Sequence, residues 1–110
     1  EAAAARWLGG GAESPRRYRF TRIVLMGAPE AAGVYALWDG EELVYYGRAM
    51  GGGATLRSRL FDHYAGRLGA ATQGATHYSW EVCVDPAARE AELLREYERE
   101  HGRLPRDNEA

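Results

Sequence analysis

Residues 33–47, GVYALWDGEELVYYG, constrain the fold of this chain more than any other stretch. Val34, Ala36 and Trp38 alternate with Tyr35 and Leu37, the two-residue period of a half-buried strand. Asp39-Gly40 has turn chemistry, and Glu41 and Glu42 extend the loop. Leu43, Val44, Tyr45 and Tyr46 then return as a second strand, rich in residues that suit a pleated surface. The reading is a β-hairpin carrying two phenols, Tyr35 and Tyr45. Each lies two residues from a glycine, Gly33 and Gly47.

The other elements arrange themselves around this hairpin. Residues 1–15 are rich in alanine and then in glycine, which predicts a short helix and a flexible link. Residues 16–26 carry Tyr18, Phe20, Ile23, Val24 and Leu25; periodicity fits a strand or a short helix capped by Thr21. Residues 1–28 are therefore expected to be a basic, partly flexible extension, and residues 29–110 the compact domain.

Gly51-Gly52-Gly53 lacks the lysine and Ser/Thr of a phosphate-cradling loop and reads as a plain connector. Residues 55–68 predict a helix with Leu56, Leu60 and Tyr64 on its core face, Phe61 beside them, and Arg59 and His63 opposite. A loop at 66–74 leads to a third strand at 77–84. Asp85-Pro86 is a helix start, with an acidic cap and proline in the first turn. That helix is expected to run to about His101 and stop at Gly102, with Leu93, Leu94 and Tyr97 buried. Glu96 lies beside that stripe, whereas Glu90, Glu98 and Glu100 are expected to reach water.

Charge and cysteine content narrow the setting. The net charge of -2 does not by itself point to nucleic acid. All 14 basic residues are arginine, whose planar fork suits phosphate, although a GC-rich genome explains the same bias. Arg6, Arg16, Arg17, Arg19 and Arg22 face only Glu13 in the N-terminal segment, so an arm lying along a phosphate backbone and a solvated flank both fit. The lone Cys83 allows no internal disulfide and no zinc-ligand spacing, and a reducing, cytoplasmic compartment is expected. No apolar run approaches the ~20 residues of a membrane span, so no membrane partner is expected.

Two hairpin tyrosines, an Arg–His pair, a helix-border glutamate and Asn108 suit phosphodiester cleavage. That reaction needs a general base, a cation for the developing charge and often a divalent metal. Taken singly, each residue has an ordinary structural reading: strand tyrosines packed at a rim, a surface arginine, a backbone-satisfied histidine, a solubilising glutamate, a turn asparagine.

Taken together they resemble the GIY-YIG nuclease family. Gly33-Val34-Tyr35 and Tyr45-Tyr46-Gly47 stand in the order of its paired tripeptides. Arg59 and His63 match its Arg-x3-Tyr/His helix, and Glu96 with Pro105-Arg106-Asp107-Asn108 matches its Glu helix and Pro-x-x-Asn ending. The similarity covers about residues 29–108.

The resemblance implies a small α/β (α+β) domain, with a three-stranded antiparallel sheet flanked by helices, that cuts DNA with magnesium or manganese. It implies Tyr35 as general base on water, and Tyr45 orienting water or phosphate. Arg59 would stabilise the scissile phosphate. His63 would accept the Tyr35 proton or bind phosphate. Glu96 would hold the metal, and Asn108 would brace the site. Tyr46 replaces the usual Ile or Val and is expected on the face opposite Tyr45. The longer glycine-rich loop at 50–54 is expected to alter substrate access. Specificity would come from loops, the basic arm, a homodimer or a protein partner. A non-catalytic nucleic-acid-binding module and a protein-interaction domain of the same fold are the alternatives; retention of Tyr35, Arg59 and Glu96 favours the nuclease.

Overall fold

The computed structural model describes residues 16–108, and the helix and link expected in residues 1–15 lie outside them. The segment at 16–26 proves to be both of its readings in turn. Tyr18–Arg19 is a short strand, β1, and Arg22–Leu25 is one turn of helix, α1, capped by the Thr21 side chain. The hairpin follows as β2 (Gly33–Asp39) and β3 (Glu42–Ala49). Then come α2 (Leu56–Tyr64), the four-residue α3 (Ala70–Gln73), β4 (His77–Val82), α4 (Pro86–His101) and a 3₁₀ turn at Arg106–Asn108.

The strands form one antiparallel sheet in the order β1-β4-β2-β3. The sheet has four strands where three were expected, because Tyr18 and Arg19 pair with Tyr78 and His77. Phe20, Leu25 and Ala28 are buried in the same core as the hairpin, so the compact domain begins before residue 29. Central β2 is buried at every position but Asp39, since strands flank it on both sides and side chains cover both faces.

Two apolar clusters sandwich the sheet. One holds Tyr35, Leu37, Val44, Leu56, Leu60 and Tyr78, on the side of α1 and α2. The other holds Val34, Ala36, Trp38, Leu43 and Tyr46 against Leu93 and Tyr97 of α4. The hairpin register carries a bulge at Val44, with Leu37 opposite Tyr45 and Trp38 opposite Leu43. The extra residue reverses the alternation beyond it. Tyr45 thereby joins the Tyr35 face, and Tyr46 goes to the opposite one. Gly47 lies directly under the Tyr35 ring, where a Cβ would collide with the phenol, and a Cβ on Gly33 would collide with the Glu81 carbonyl.

Helix α2 opens on a reciprocal capping box between Thr55 and Ser58. It ends at Ala65, short of residue 68, where Gly66 takes a positive φ of 80°. The expected loop at 66–74 therefore contains α3. His63 does not face away from the core as its spacing suggested; it is buried with Leu56 and Leu60. Strand β4 stops at Val82, not at residue 84, and Val84 is fully exposed. Helix α4 has the boundaries expected, with the Asp85 carboxylate accepting from the Ala88 N–H and Gly102 as its left-handed end. Among the described residues no helix is long and apolar enough to cross a membrane.

Candidate active site

Tyr35 stands in the middle of β2 with no exposed surface. Its hydroxyl lies 2.7 Å from Nε2 of His63, in the last turn of α2. Nδ1 of the same ring lies 2.8 Å from the Thr72 hydroxyl on α3, so both imidazole nitrogens are engaged. Tyr45, half-buried on β3, packs edge-on against His63 with ring centroids 5.0 Å apart, and 6.2 Å from the Tyr35 ring.

The electrostatics follow from burial. Loss of water raises the Tyr35 pKa well above that of a free phenol, the neighbouring Tyr45 adds to the rise, and the Arg59 guanidinium opposes it. Tyr45 is raised too, first by burial and then by the Glu90 carboxylate, again against Arg59. His63 moves the other way, to about 4, because burial and the Arg59 charge both disfavour imidazolium, with Asp62 a smaller opposing influence. At neutral pH the centre holds two protonated phenols and a neutral imidazole.

Tyr45 separates two surface cavities. One, of about 390 Å³, is lined by Tyr45, Arg48, Met50, Ala54, Arg59 and Glu90. The other, of about 510 Å³, is lined by Tyr45, His63, Thr72, Asp107 and Asn108 with the Leu68 to Ala71 backbone segment. The first has two arginines and one carboxylate; the second has no arginine. Since β3 is an edge strand, α2 reaches the first cavity from one face of the sheet and α4 from the other.

The carboxylate that α4 delivers there is Glu90, not Glu96. Glu90 accepts from Arg48 Nη1 at 2.7 Å, and its side chain is only 15% exposed, so it is not the solvated residue expected. Glu96 pairs with Arg99 and lines neither cavity. Six residues along a helix turn the side chain by about 120° and move it about 9 Å. Glu90 therefore shares a row with Leu93 and Tyr97, three and seven residues on, and that buried row leads it to the sheet. This spacing is the sequence signal for Glu90.

Among the described residues no group of three or more His, Cys, Asp and Glu side chains stands within reach of one ion. An all-protein metal cage does not fit. A hydrated magnesium or manganese ion asks for only one or two carboxylates. The Glu90 carboxylate at the wall of a polar cavity meets that demand; the Glu96 carboxylate, away from the cavity, does not.

Asn108 approaches from the tail and acts on backbone. Its Oδ1 accepts from the Tyr46 N–H at 2.9 Å and its Nδ2 donates to the Tyr46 carbonyl at 3.0 Å. The amide thus stands in for a neighbouring strand at the free edge of β3, one residue from Tyr45. Of the six residues predicted, the fold brings Tyr35, Tyr45, Arg59 and His63 together, sets Asn108 behind them and leaves Glu96 apart. Sequence reasoning missed Glu90, Arg48 and Thr72. No protein-family model matches the chain, and no curated protein matches it.

Proposed function

We propose that the protein is a metal-dependent endonuclease of the GIY-YIG type that hydrolyses phosphodiester bonds in DNA. The observation that carries this reading is the convergence of a phenol–imidazole pair, a second phenol, two arginines and a carboxylate at the edge of β3. Four separate elements supply these side chains.

In this scheme the scissile phosphate lies in the 390 Å³ cavity, against Arg59 and Arg48. Arg59 stabilises the charge that grows as water attacks. Tyr45 borders the cavity and touches the attacking water. Tyr35, fully buried, acts behind it, so the direct contact with water that the family pattern suggested for Tyr35 passes to Tyr45. Burial makes a free phenolate costly, so proton transfer from water through the phenols is coupled to transfer onto neutral His63. Glu90 would hold magnesium or manganese, which would supply positive charge to offset that of the phosphate.

The test is cleavage of single-stranded, duplex and branched DNA, and of RNA, with each metal in turn. Wild type is expected to cut at least one DNA substrate, Glu90→Gln to bind that substrate without cutting, and Glu96→Gln to cut like wild type. Binding of DNA by wild type with no cleavage of any substrate would replace the enzyme by a non-catalytic binding module.

A further inference from the structure

Tyr35 and His63 form a pair with almost no contact with water: their exposures are 0% and 1%. The titratable and charged groups around His63 are Tyr35, Tyr45, Arg59 and Asp62, with Asp107 on the wall of the cavity that His63 and Thr72 line. Arg59 and burial both disfavour a positive ring. A proton handed to Nε2 therefore cannot rest there as imidazolium without a large cost, and the pair needs an outlet.

The far nitrogen of His63 has one. Nδ1 lies 2.8 Å from Oγ1 of Thr72, and Thr72 also lines the 510 Å³ cavity on the side of Tyr45 away from the arginines. A hydroxyl accepts one hydrogen bond while donating another. It can therefore take a proton from the ring and release its own, which an apolar side chain of the same shape cannot do.

We propose that Thr72 is the positioning residue and proton outlet of His63, holding Nδ1 protonated with Nε2 aimed at the Tyr35 hydroxyl and passing the displaced Nδ1 proton to water in the larger cavity. The inference rests on the nuclease reading above. In the step, the Tyr35 O–H bond breaks as Nε2–H forms, and the Tyr35 oxygen is reprotonated by the proton that the attacking water gives up through Tyr45. The Nδ1–H bond breaks as its proton joins Thr72 Oγ1, whose own proton moves to cavity water. His63 ends neutral, one proton has left the pair and no electron changes hands. A proton passing back along the same chain restores the starting tautomer.

The experiment compares wild type, Thr72→Val and Thr72→Ser by two readouts. The first is the nitrogen-15 spectrum of His63 in the free protein at neutral pH, which reports the tautomer whether or not the protein cuts DNA. Wild type and Thr72→Ser are expected to carry the proton on Nδ1, and Thr72→Val on Nε2, where Tyr35 still offers an acceptor. The second is cleavage: Thr72→Val is expected to lose about 10- to 100-fold in kcat with KM unchanged, and Thr72→Ser to recover most of it. In mixtures of light and heavy water, the rate of wild type should depend on several protons and that of Thr72→Val on fewer.

A wild-type His63 protonated on Nε2 would overturn the proposal whatever the cleavage results. So would a Thr72→Val protein that is folded and cuts like wild type. If wild type cuts nothing, the nuclease reading fails, and the outlet built on it is withdrawn even where the tautomer agrees.

Discussion

Tyr35 and Tyr46 are both fully buried phenols on the same hairpin, and burial raises the pKa of each. They face opposite sides of the sheet. Tyr46 meets Tyr97 edge-on, at a centroid distance of 6.4 Å, inside an aliphatic and aromatic cluster closed by α4. Tyr35 meets an imidazole at hydrogen-bond distance, and beyond it a threonine and an arginine. The α4 face is dominated by apolar packing. The α2 face combines its core with a polar chain that reaches a cavity on either side of Tyr45. The difference teaches that one sheet can carry apolar packing on one face and a buried polar chain on the other, with the edge strand β3 as the border.

The largest effects should divide along that border. Arg59→Ala is expected to lower cleavage about 100- to 1,000-fold, the scale for losing one aimed donor of transition-state charge. Its melting temperature should stay near that of wild type, since Arg59 is not part of the buried core. Leu93→Ala, on the other face, should cost about 2–5 kcal/mol in denaturant unfolding and lower the activity of the folded fraction far less than Arg59→Ala does. A large stability loss in Arg59→Ala, or a folded Leu93→Ala protein that no longer cuts, would break the separation.

The next effect is pH dependence from the α2 face alone. His63 titrates near 6.5 in the unfolded chain and at about 4 in the folded protein. Between these values the unfolded state binds more protons, so stability rises with pH. The contribution is complete above about 6.5 and is lost as the pH falls toward 4, a total on the order of 3 kcal/mol. Unfolding free energies at pH 4.5 and 7.5 should show this slope in wild type and a shallower one in His63→Gln. Equal slopes in the two proteins would mean that His63 is not held neutral by burial.

The smallest effect belongs to the border itself. Asn108→Ala removes two hydrogen bonds to the Tyr46 backbone and should cost roughly 1–3 kcal/mol. Hydrogen exchange should then quicken at the Tyr46 amide before it does so in β2. If it quickens first in β2, Asn108 is not what secures the edge.

Local chemistry made much of this fold legible. The hairpin, the capped start of α4 and its end at Gly102 each follow from neighbouring residues acting on backbone within a turn or two. Four of the six predicted site residues gather in one place for the same reason, since Tyr35 and Tyr45 share the hairpin and Arg59 and His63 share one helix. The structure departs from expectation where an element's orientation matters more than its existence. Glu96 and Glu90 lie on one helix, and only the docking of Leu93 and Tyr97 onto the sheet selects Glu90. Thr72 lies in a stretch that reads as loop, and it matters because α3 folds back onto His63. Residues 18–28 looked like an extension because a two-residue strand and a single helical turn leave almost no periodic trace.

The sequence by itself determined that a hairpin would carry two phenols past two glycines, because alternation and turn chemistry act between near neighbours. Alternation and turn length do not by themselves put Tyr45 beside Tyr35; the tertiary structure sets it there, where the family resemblance implied it. A regular register would put Tyr45 opposite Ala36 and Tyr46 opposite Tyr35. The bulge at Val44 exchanges the two faces, and burial of Tyr46 against Tyr97 fits the exchanged register. One unpaired residue in β3, set in a sheet covered on both faces, thus brings Tyr45 to the cavities and sends its neighbour into the core.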